Sequence, residues 1–299
     1  MIGKMFWKEE LKEQLPKNAK VMLSTWAMKK KANGTYQARV NVRGFEQRNR
    51  IQFDKEDKAA PVICDVTIWI TLTWTVHIMD VHGAFLLGEF KDGETIYMKV
   101  PQGFEKCYPE NVVLKLLKTI YGLQQAAMAF WRETLKAFKH MGYNQSKANQ
   151  YLFFKRTRTG LVIWLSWVNN FLVCGNKEAV KEAKKTMNEL FDCDDQGLMQ
   201  EYVGCKVDKN WDKPSMKLTQ PVMLQSFEDE FDLSEAGKSN TPSVPGSKLS
   251  KNNDECPIPP SALETYHLGV GKLLHMMQWT WPEILNAVQE LSQYMSGAL

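Results

Sequence analysis

Three groups of residues have types and spacings that could do chemistry. The first is a pair of adjacent amides, Asn169-Asn170, set between the apolar runs Leu161–Val168 and Phe171–Cys174. Asparagine tolerates a positive φ, so a tight hairpin turn accounts for the pair by itself. Both runs are apolar on both faces, as in a central, buried hairpin, whose tip would hold two amides side by side. The second is a single carboxylate, Asp80, in the short run His77-Ile-Met-Asp-Val81. Aspartate is depleted in strands and needs a reason to stand there; capping the next turn is one. The third is a run of basic residues. Lys29, Lys30, Lys31, Arg39, Arg43, Arg48 and Arg50 face one acid, Glu46, over the same stretch. Lysines protect a hairpin edge from pairing with other chains. Arginine forks and lysine point charges also hold phosphates, and both readings stay open at this level.

The elements that must position these groups follow from pattern. Val21–Lys30 and Thr35–Val42 predict two strands joined at Asn33-Gly34, a strong hairpin signal. Phe6–Leu15 predicts a short amphipathic helix ended by Pro16. Val66–Val76 is apolar and β-branched, and fits a strand or a helix. His77–Val81, Thr95–Val100, Asn111–Leu117 and Tyr151–Arg156 read as strands, and Leu123–Met141 carries apolar residues at helical spacing. Phe85 lies in Ala84-Phe-Leu-Leu87, a setting that suits a core aromatic, and Gln125 stands where a surface glutamine could start the long helix. Glu178–Phe191 is a charged amphipathic helix; Glu201–Val207 and Met216–Thr219 form a hairpin around Trp211-Asp-Lys-Pro-Ser215. Further helices are predicted over Gln220–Phe231, Leu263–Gln278 and Pro282–Met295, the last with proline at its first position. Residues 235–260 are rich in Ser, Pro, Gly, Asn and Lys and read as a linker.

Composition bounds the class. The 299 residues are 44% hydrophobic and 24% charged, ordinary for one large or two smaller globular domains. A formal charge of +4 permits nucleic-acid binding without demanding it. The six cysteines include no Cys-x-x-Cys pair, and with five isolated histidines they suggest neither a disulfide framework nor a zinc site. The N-terminus lacks the apolar core of a signal peptide, and no apolar run is long enough to span a bilayer. An intracellular protein, cytoplasmic or nuclear, with no membrane partner is expected. Nothing in the sequence sets an oligomeric state.

Six motifs, in order, carry a family resemblance: Gln37-Ala-Arg-Val-Asn-Val-Arg-Gly-Phe-Glu-Gln47, Ala60-Pro-Val62, Met79-Asp-Val-His-Gly-Ala-Phe-Leu-Leu-Gly88, Ile96-Tyr-Met-Lys-Val-Pro-Gln-Gly-Phe104, Tyr121-Gly-Leu-Gln-Gln125 and Gly269-Val-Gly-Lys-Leu273. With Trp167-Val-Asn-Asn170 in the place of an aromatic-Val-Asp-Asp signature, the chain from about Lys20 onward resembles the reverse transcriptase of copia-type retrotransposons. The resemblance implies an α+β fold: an antiparallel palm sheet with helices on one face, basic fingers and a C-terminal helical, thumb-like region. It divides the chain into fingers and palm over 18–234, a linker over 235–262 and helices over 263–299. It implies RNA-directed DNA synthesis with Mg²⁺, deoxynucleotides and an RNA or DNA primer-template. Asp80 would be a metal ligand, with Asn169 and Asn170 at the positions of two further aspartates. Arg39 would meet the triphosphate, Phe85 would lie under the sugar, and Gln125 would contact nucleotide or template. Lys29, Lys30, Lys31 and Arg43 would hold nucleic acid.

The departures from the family pattern set a second expectation. Asn169 and Asn170 replace two carboxylates, Asn149 stands where aspartate is usual, and tryptophan at positions 69 and 281 stands where arginine is usual. Each is reachable by one C-to-T change on one or other DNA strand, the signature of a decayed transposon copy. The segment before Asp80 is also shortened, which questions its packing. Catalytic inactivity is therefore expected, with a non-catalytic nucleic-acid-binding remnant or a partner subunit of an active polymerase as the alternative role. No ribonuclease H, integrase or protease segment is evident, so the chain reads as a fragment of a polyprotein. If the resemblance holds, the Asp80 strand and the 161–174 hairpin must be neighbours in one antiparallel sheet, with Asp80 and Asn169 on one face.

Overall fold

The computed structural model describes residues 6–30, 34–58, 60, 65–72, 74–210, 215–233, 239, 241–243, 246 and 259–295. Lys31, the turn residue Asn33, Pro61-Val62, the 211–214 loop and most of the 235–262 segment lie outside them. The chain forms two compact units, residues 1–198 and 199–299.

In chain order the first unit holds β1 (Trp7–Leu11), β2 (Val21–Met22), β3 (Ser24–Lys30), β4 (Tyr36–Val42), α1 (Asp65–Leu72), β5 (Val76–Val81), β6 (Tyr97–Met98), β7 (Val112–Leu116) and α2 (Ala126–His140). It continues with β8 (Asn144–Gln145), β9 (Leu152–Thr157), β10 (Gly160–Trp167), β11 (Asn170–Gly175), α3 (Lys177–Leu190) and β12 (Cys193–Leu198). The second unit holds β13 (Glu201–Tyr202), β14 (Cys205–Asn210), β15 (Ser215–Thr219), α4 (Pro221–Glu230), α5 (Pro260–Trp279) and α6 (Leu285–Ser292). The architecture is α+β. Among the described residues no helix is long and apolar enough to cross a membrane.

The sheet that matters most has six strands in the order β12-β5-β11-β10-β9-β8, and all its pairs are antiparallel. Its core face is aromatic. Phe138 of α2 stacks on Phe153 at 4.0 Å between ring centroids and meets Phe171 edge-on at 5.6 Å. Trp164, Phe138 and Phe171 are fully buried. Aromatic and β-branched side chains fit a pleated surface pressed under helices, which is why these strands are apolar almost throughout. α1, the segment that is short by family standards, folds as a helix with Ile68 fully buried. Asn149 ties to it by donating its amide to Thr67 Oγ1 at 2.7 Å and accepts from the Tyr151 backbone N–H at 3.0 Å.

Two expectations change. Phe6–Leu15 is not a helix: Trp7–Leu11 is a strand that pairs with β7 over five residues, followed by a short 3₁₀ turn over Lys12–Gln14. A ready-made edge on β7 overrides a weak local preference. The structure also adds β12, which pairs with β5 through a bulge between Asp195 and Gly197. Its sequence, Cys-Asp-Asp-Gln-Gly-Leu, has almost no strand propensity, so pattern alone does not reveal it.

The basic hairpin β3–β4 pairs Ser24 through Lys30 with Val42 through Tyr36. Its base meets the rest of the unit at a close backbone contact. The Val42 N–H donates to the Tyr121 carbonyl at 2.8 Å. Gly122 has φ +89°, and a Cβ there would stand 2.1 Å from the Val42 carbonyl oxygen; one at Gly44 would stand 1.9 Å from the Gly122 oxygen. Only glycine fits both positions.

The second unit is a three-stranded sheet, β13-β14-β15, with α4, α5 and α6. Gln220, 1% exposed, links His275 Nδ1 at 2.6 Å and the Thr280 hydroxyl at 2.5 Å, and Gly269 lets Phe231 pack against α5.

Replacing Gly122 with alanine should destabilise the first unit by about 2 kcal/mol or more, since both left-handed strain and a backbone clash oppose the new methyl. Urea unfolding followed by tryptophan fluorescence measures this; an unchanged midpoint would mean that the hairpin and the 121–125 segment are not in contact.

Candidate functional site

β5 carries Asp80 between Met79 and Val81, which are 0% and 2% exposed under the helices. Side chains alternate along a strand, so Asp80 emerges on the opposite face. There it lies directly across from Asn170 of β11 on one side and Asp194 of β12 on the other. The β10–β11 turn brings in Asn169, whose Nδ2 donates to Asp80 Oδ1 at 2.5 Å, while its backbone carbonyl accepts from the Val81 N–H at 2.8 Å. The structure thus gathers Asp80, Asn169 and Asn170 at one sheet end. The turn itself differs from the sequence reading. Its two central residues are Val168 and Asn169, and Asn170 already pairs with Trp167. The left-handed residue is Val168, with φ 51°, an uncommon conformation for a β-branched side chain. The cross-strand register, not the turn preference of asparagine, decides this.

Two carboxylates and a histidine that the sequence reading missed stand beside Asp80. His82 Nε2 lies 2.7 Å from Asp194 and its Nδ1 lies 3.3 Å from Asp192. The Asp194 carboxylate raises the His82 pKa above its ordinary value; burial opposes it, and Asp192 adds to the rise. The Cys193 thiol between them is pushed up to about 12, by burial first and then by the charges of Asp192, Asp80 and Asp194. A signal existed in the sequence, since Asp192-Cys-Asp-Asp195 is a dense acidic run, but nothing placed it on the strand next to β5.

The nucleotide-binding candidates meet at a different residue. The Arg39 guanidinium lies over the Tyr121 ring, 4.9 Å from its centroid, and Phe85 meets the same ring edge-on at 5.1 Å. Phe85 is partly buried against the core of the four-stranded sheet β1-β7-β6-β2. Its loop is held by Thr119, whose hydroxyl donates to the Phe85 carbonyl at 2.7 Å. Tyr121 opens the motif Tyr121-Gly-Leu-Gln-Gln125, and its meeting with Arg39 and Phe85 is a product of the fold. Gln125 is 1% exposed and fully engaged: its Oε1 accepts from Gln47 at 3.0 Å and its Nε2 donates to the Gln52 carbonyl at 2.9 Å. Gln124 extends this network to Gly44. Gln125 is therefore neither a surface residue nor presented to a ligand in this conformation. Lys29 and Lys30 are exposed on the hairpin, Lys30 lies over Tyr36, and Arg43 pairs with Glu46 at 3.6 Å.

As a metal site the arrangement is poor. Mg²⁺ is held by carboxylates together with phosphates. Asp80 is the one carboxylate at the turn, and the neighbouring amide donates to it. Asp192 and Asp194 are turned to His82. Among the described residues, no three His, Cys, Asp or Glu side chains converge so as to hold a metal ion.

A six-stranded antiparallel sheet with helices on one face and an Asp-plus-turn cluster on the other is a polymerase palm, and the chain belongs to the reverse transcriptase (RNA-dependent DNA polymerase) family, whose model matches residues 11–245. Within that family it is of the copia type. It is 29% identical over 300 residues to the retrovirus-related Pol polyprotein from transposon TNT 1-94 of Nicotiana tabacum, covering 95% of this chain and 22% of that one. It is 27% identical over 306 residues to the Pol polyprotein from transposon RE1 of Arabidopsis thaliana, covering 98% and 20%. The chain thus spans about a fifth of the length of these relatives. A solved structure of a foamy viral protease-reverse transcriptase in complex with double-stranded DNA overlays with a TM-score of 0.40 at 10% identity, covering 91% of this chain and 43% of that one.

The raised His82 pKa makes a pH prediction. A protonated imidazole paired with carboxylates in the fold contributes stability that is present below the ordinary imidazole value and lost as pH rises through the raised one. His82 is 45% and Asp194 66% exposed, so solvent screens the pair and the effect on stability is small. Asp194→Asn should bring the His82 titration, followed by NMR, back toward the ordinary value of about 6.5. A titration unmoved by that change would place the cause elsewhere.

Proposed function

We propose that this chain is a non-catalytic copy of a copia-type reverse transcriptase domain that keeps its hold on a nucleic-acid primer-template. The observation that carries the proposal is the hydrogen bond from Asn169 to Asp80. In the intact site the resemblance implies three carboxylates facing two divalent ions, which clamp the attacking and leaving oxygens of nucleotide addition. Here two of the three are amides. Asparagine matches the shape of aspartate and supports the same strand register, but it offers a neutral carbonyl. A unit charge about 4 Å from another is worth about 4 kcal/mol at an effective dielectric near 20, and more opposite a divalent ion. Each 1.36 kcal/mol is about tenfold in rate, so two lost charges remove many decades. The donor set does not fit a two-metal centre, and no catalytic step is assigned to it.

What favours retained binding is the basic hairpin. Lys29 and Arg39 share one of its faces by strand alternation, and Arg39 is held in place over Tyr121. Phosphates meeting these side chains would release counterions, which makes binding steeply dependent on salt.

Purified protein should give no primer extension with Mg²⁺ or Mn²⁺; extension at an ordinary polymerase rate would overturn the non-catalytic reading. The double substitution Asn169→Asp with Asn170→Asp restores the charges on an intact sheet and should restore extension. A dead double variant that remains folded would trace the lost activity beyond these two positions.

Primer-template binding should persist without divalent metal and weaken with salt. Replacing Arg39 and Arg43 with glutamine should flatten the slope of log affinity against log salt by about one unit per lost phosphate contact. An unaltered slope would place the nucleic-acid surface elsewhere.

A further inference from the structure

The face of the β3–β4 hairpin opposite Arg39 leads to a cavity. It has a volume of about 260 Å³ and is lined by Trp7 and Glu9 of β1, Trp26 of β3, Val40 of β4, and Pro101, Phe104, Cys107 and Tyr108 from the loop between β6 and β7. Trp7 and Glu9 are two apart on one strand and share its face. The rings are fixed. Trp7 Nε1 donates to the Tyr108 hydroxyl at 3.1 Å, Trp26 Nε1 donates to the Gln102 carbonyl at 2.9 Å, and Trp26 stacks on Phe104 at 5.8 Å between centroids. Both indole N–H groups are thus satisfied within the protein, and among the residues lining the cavity Glu9 is the only charged one.

That composition selects among occupants. The volume falls below the roughly 300–1,000 Å³ of pockets for drug-sized ligands, so it suits one side chain rather than a nucleotide. A nucleobase would bring several polar edge groups into a place where both indole donors are already engaged, and unpaired polar groups are costly to bury. Glu9 at the exposed rim adds a negative charge that favours a cation over an uncharged aliphatic group. A methylated ammonium meets every condition: it is cationic, it has few or no N–H groups to satisfy, and it is attracted by aromatic faces. Met28, 77% exposed, follows Trp26 on the same face of the hairpin and offers a shelf beside the cavity for flanking residues.

We propose that this cavity is an aromatic cage for a methylated lysine side chain of a partner peptide, with Glu9 neutralising its charge. The test is fluorescence anisotropy of a labelled peptide carrying trimethyllysine, against the same peptide with unmodified lysine. The methylated peptide should bind roughly tenfold more tightly or better, and tetramethylammonium chloride should displace it where sodium chloride at equal ionic strength does not. Glu9→Gln and Phe104→Leu should each weaken binding about fivefold or more. Glu9 is exposed, so its variant should keep the fold, as circular dichroism checks, even if Phe104→Leu does not. Equal affinity for the two peptides, or binding untouched by Glu9→Gln in a folded protein, would overturn the proposal. So would preferential binding to phosphocholine vesicles, which would assign the cage to a lipid headgroup, or displacement by a nucleoside instead of the ammonium, which would make it a base pocket. The primer-template reading is independent of all these outcomes.

Discussion

The register of β5 against β11 is the constraint on which the site depends. Asp80 reaches Asn169 and Asn170 only because Met79 and Val81 point the other way, into the helix-covered layer. A slip of one residue would bury the carboxylate under α2 and α3 and expose two apolar side chains. The register is held by packing, not by the polar residues at the sheet end. Trp164, Phe171, Phe153 and Phe138 interlock beneath it, with ring centroids 4.0 to 6.2 Å apart. Because the apolar core sets the geometry, the site can exchange carboxylates for amides while the sheet stays as it is. Fold and chemistry are separable here for a physical reason: the aromatic layer that holds the register lies on the face opposite Asp80.

A second constraint joins the hairpin to that sheet's unit. Val42, Gly44, Gly122 and Tyr121 approach at backbone distance, and the buried glutamines 47 and 125 bridge the same loops. Rigid backbone contact at this point places Arg39 and Phe85 on either side of Tyr121. The glutamine network belongs to this joint. Buried amides with every partner satisfied specify a single arrangement of loops more sharply than apolar contacts of the same area, because any shift leaves a donor or acceptor unpaired. The two faces of the hairpin are thereby given different neighbours: Tyr121 on the Arg39 side, and Trp7, Phe104 and Tyr108 on the Trp26 side.

Much of this was legible in the residues. The hairpin β3–β4 follows from apolar period and turn chemistry, and the β10–β11 pair, α2 and α3 from apolar period; the aromatic content of β10 and β11 marked them as buried on both faces. The neighbouring of Asp80 and Asn169 followed from the family motifs, since local pattern says nothing of residues 89 apart. Three features were not legible. β1 reads as a helix because its pairing partner, β7, lies about a hundred residues away. β12 gives no strand signal because Asp and Gly oppose strand formation, and only the free edge of β5 makes it a strand. Gln125 could be read as a surface glutamine or a ligand contact, because only its meeting with Gln47 and Gln52 buries and satisfies it.

The amino-acid sequence by itself determined the family and the strands of the palm core, because these reside in residue identity and short-range period. The tertiary structure alone decided which side chains share a face and a neighbour: His82 with Asp192 and Asp194, Arg39 with Tyr121, and Trp7 with Trp26 around one cavity. Those meetings depend on strand register and sheet order, which are set by the packing of distant segments and leave no trace in any single stretch of the chain.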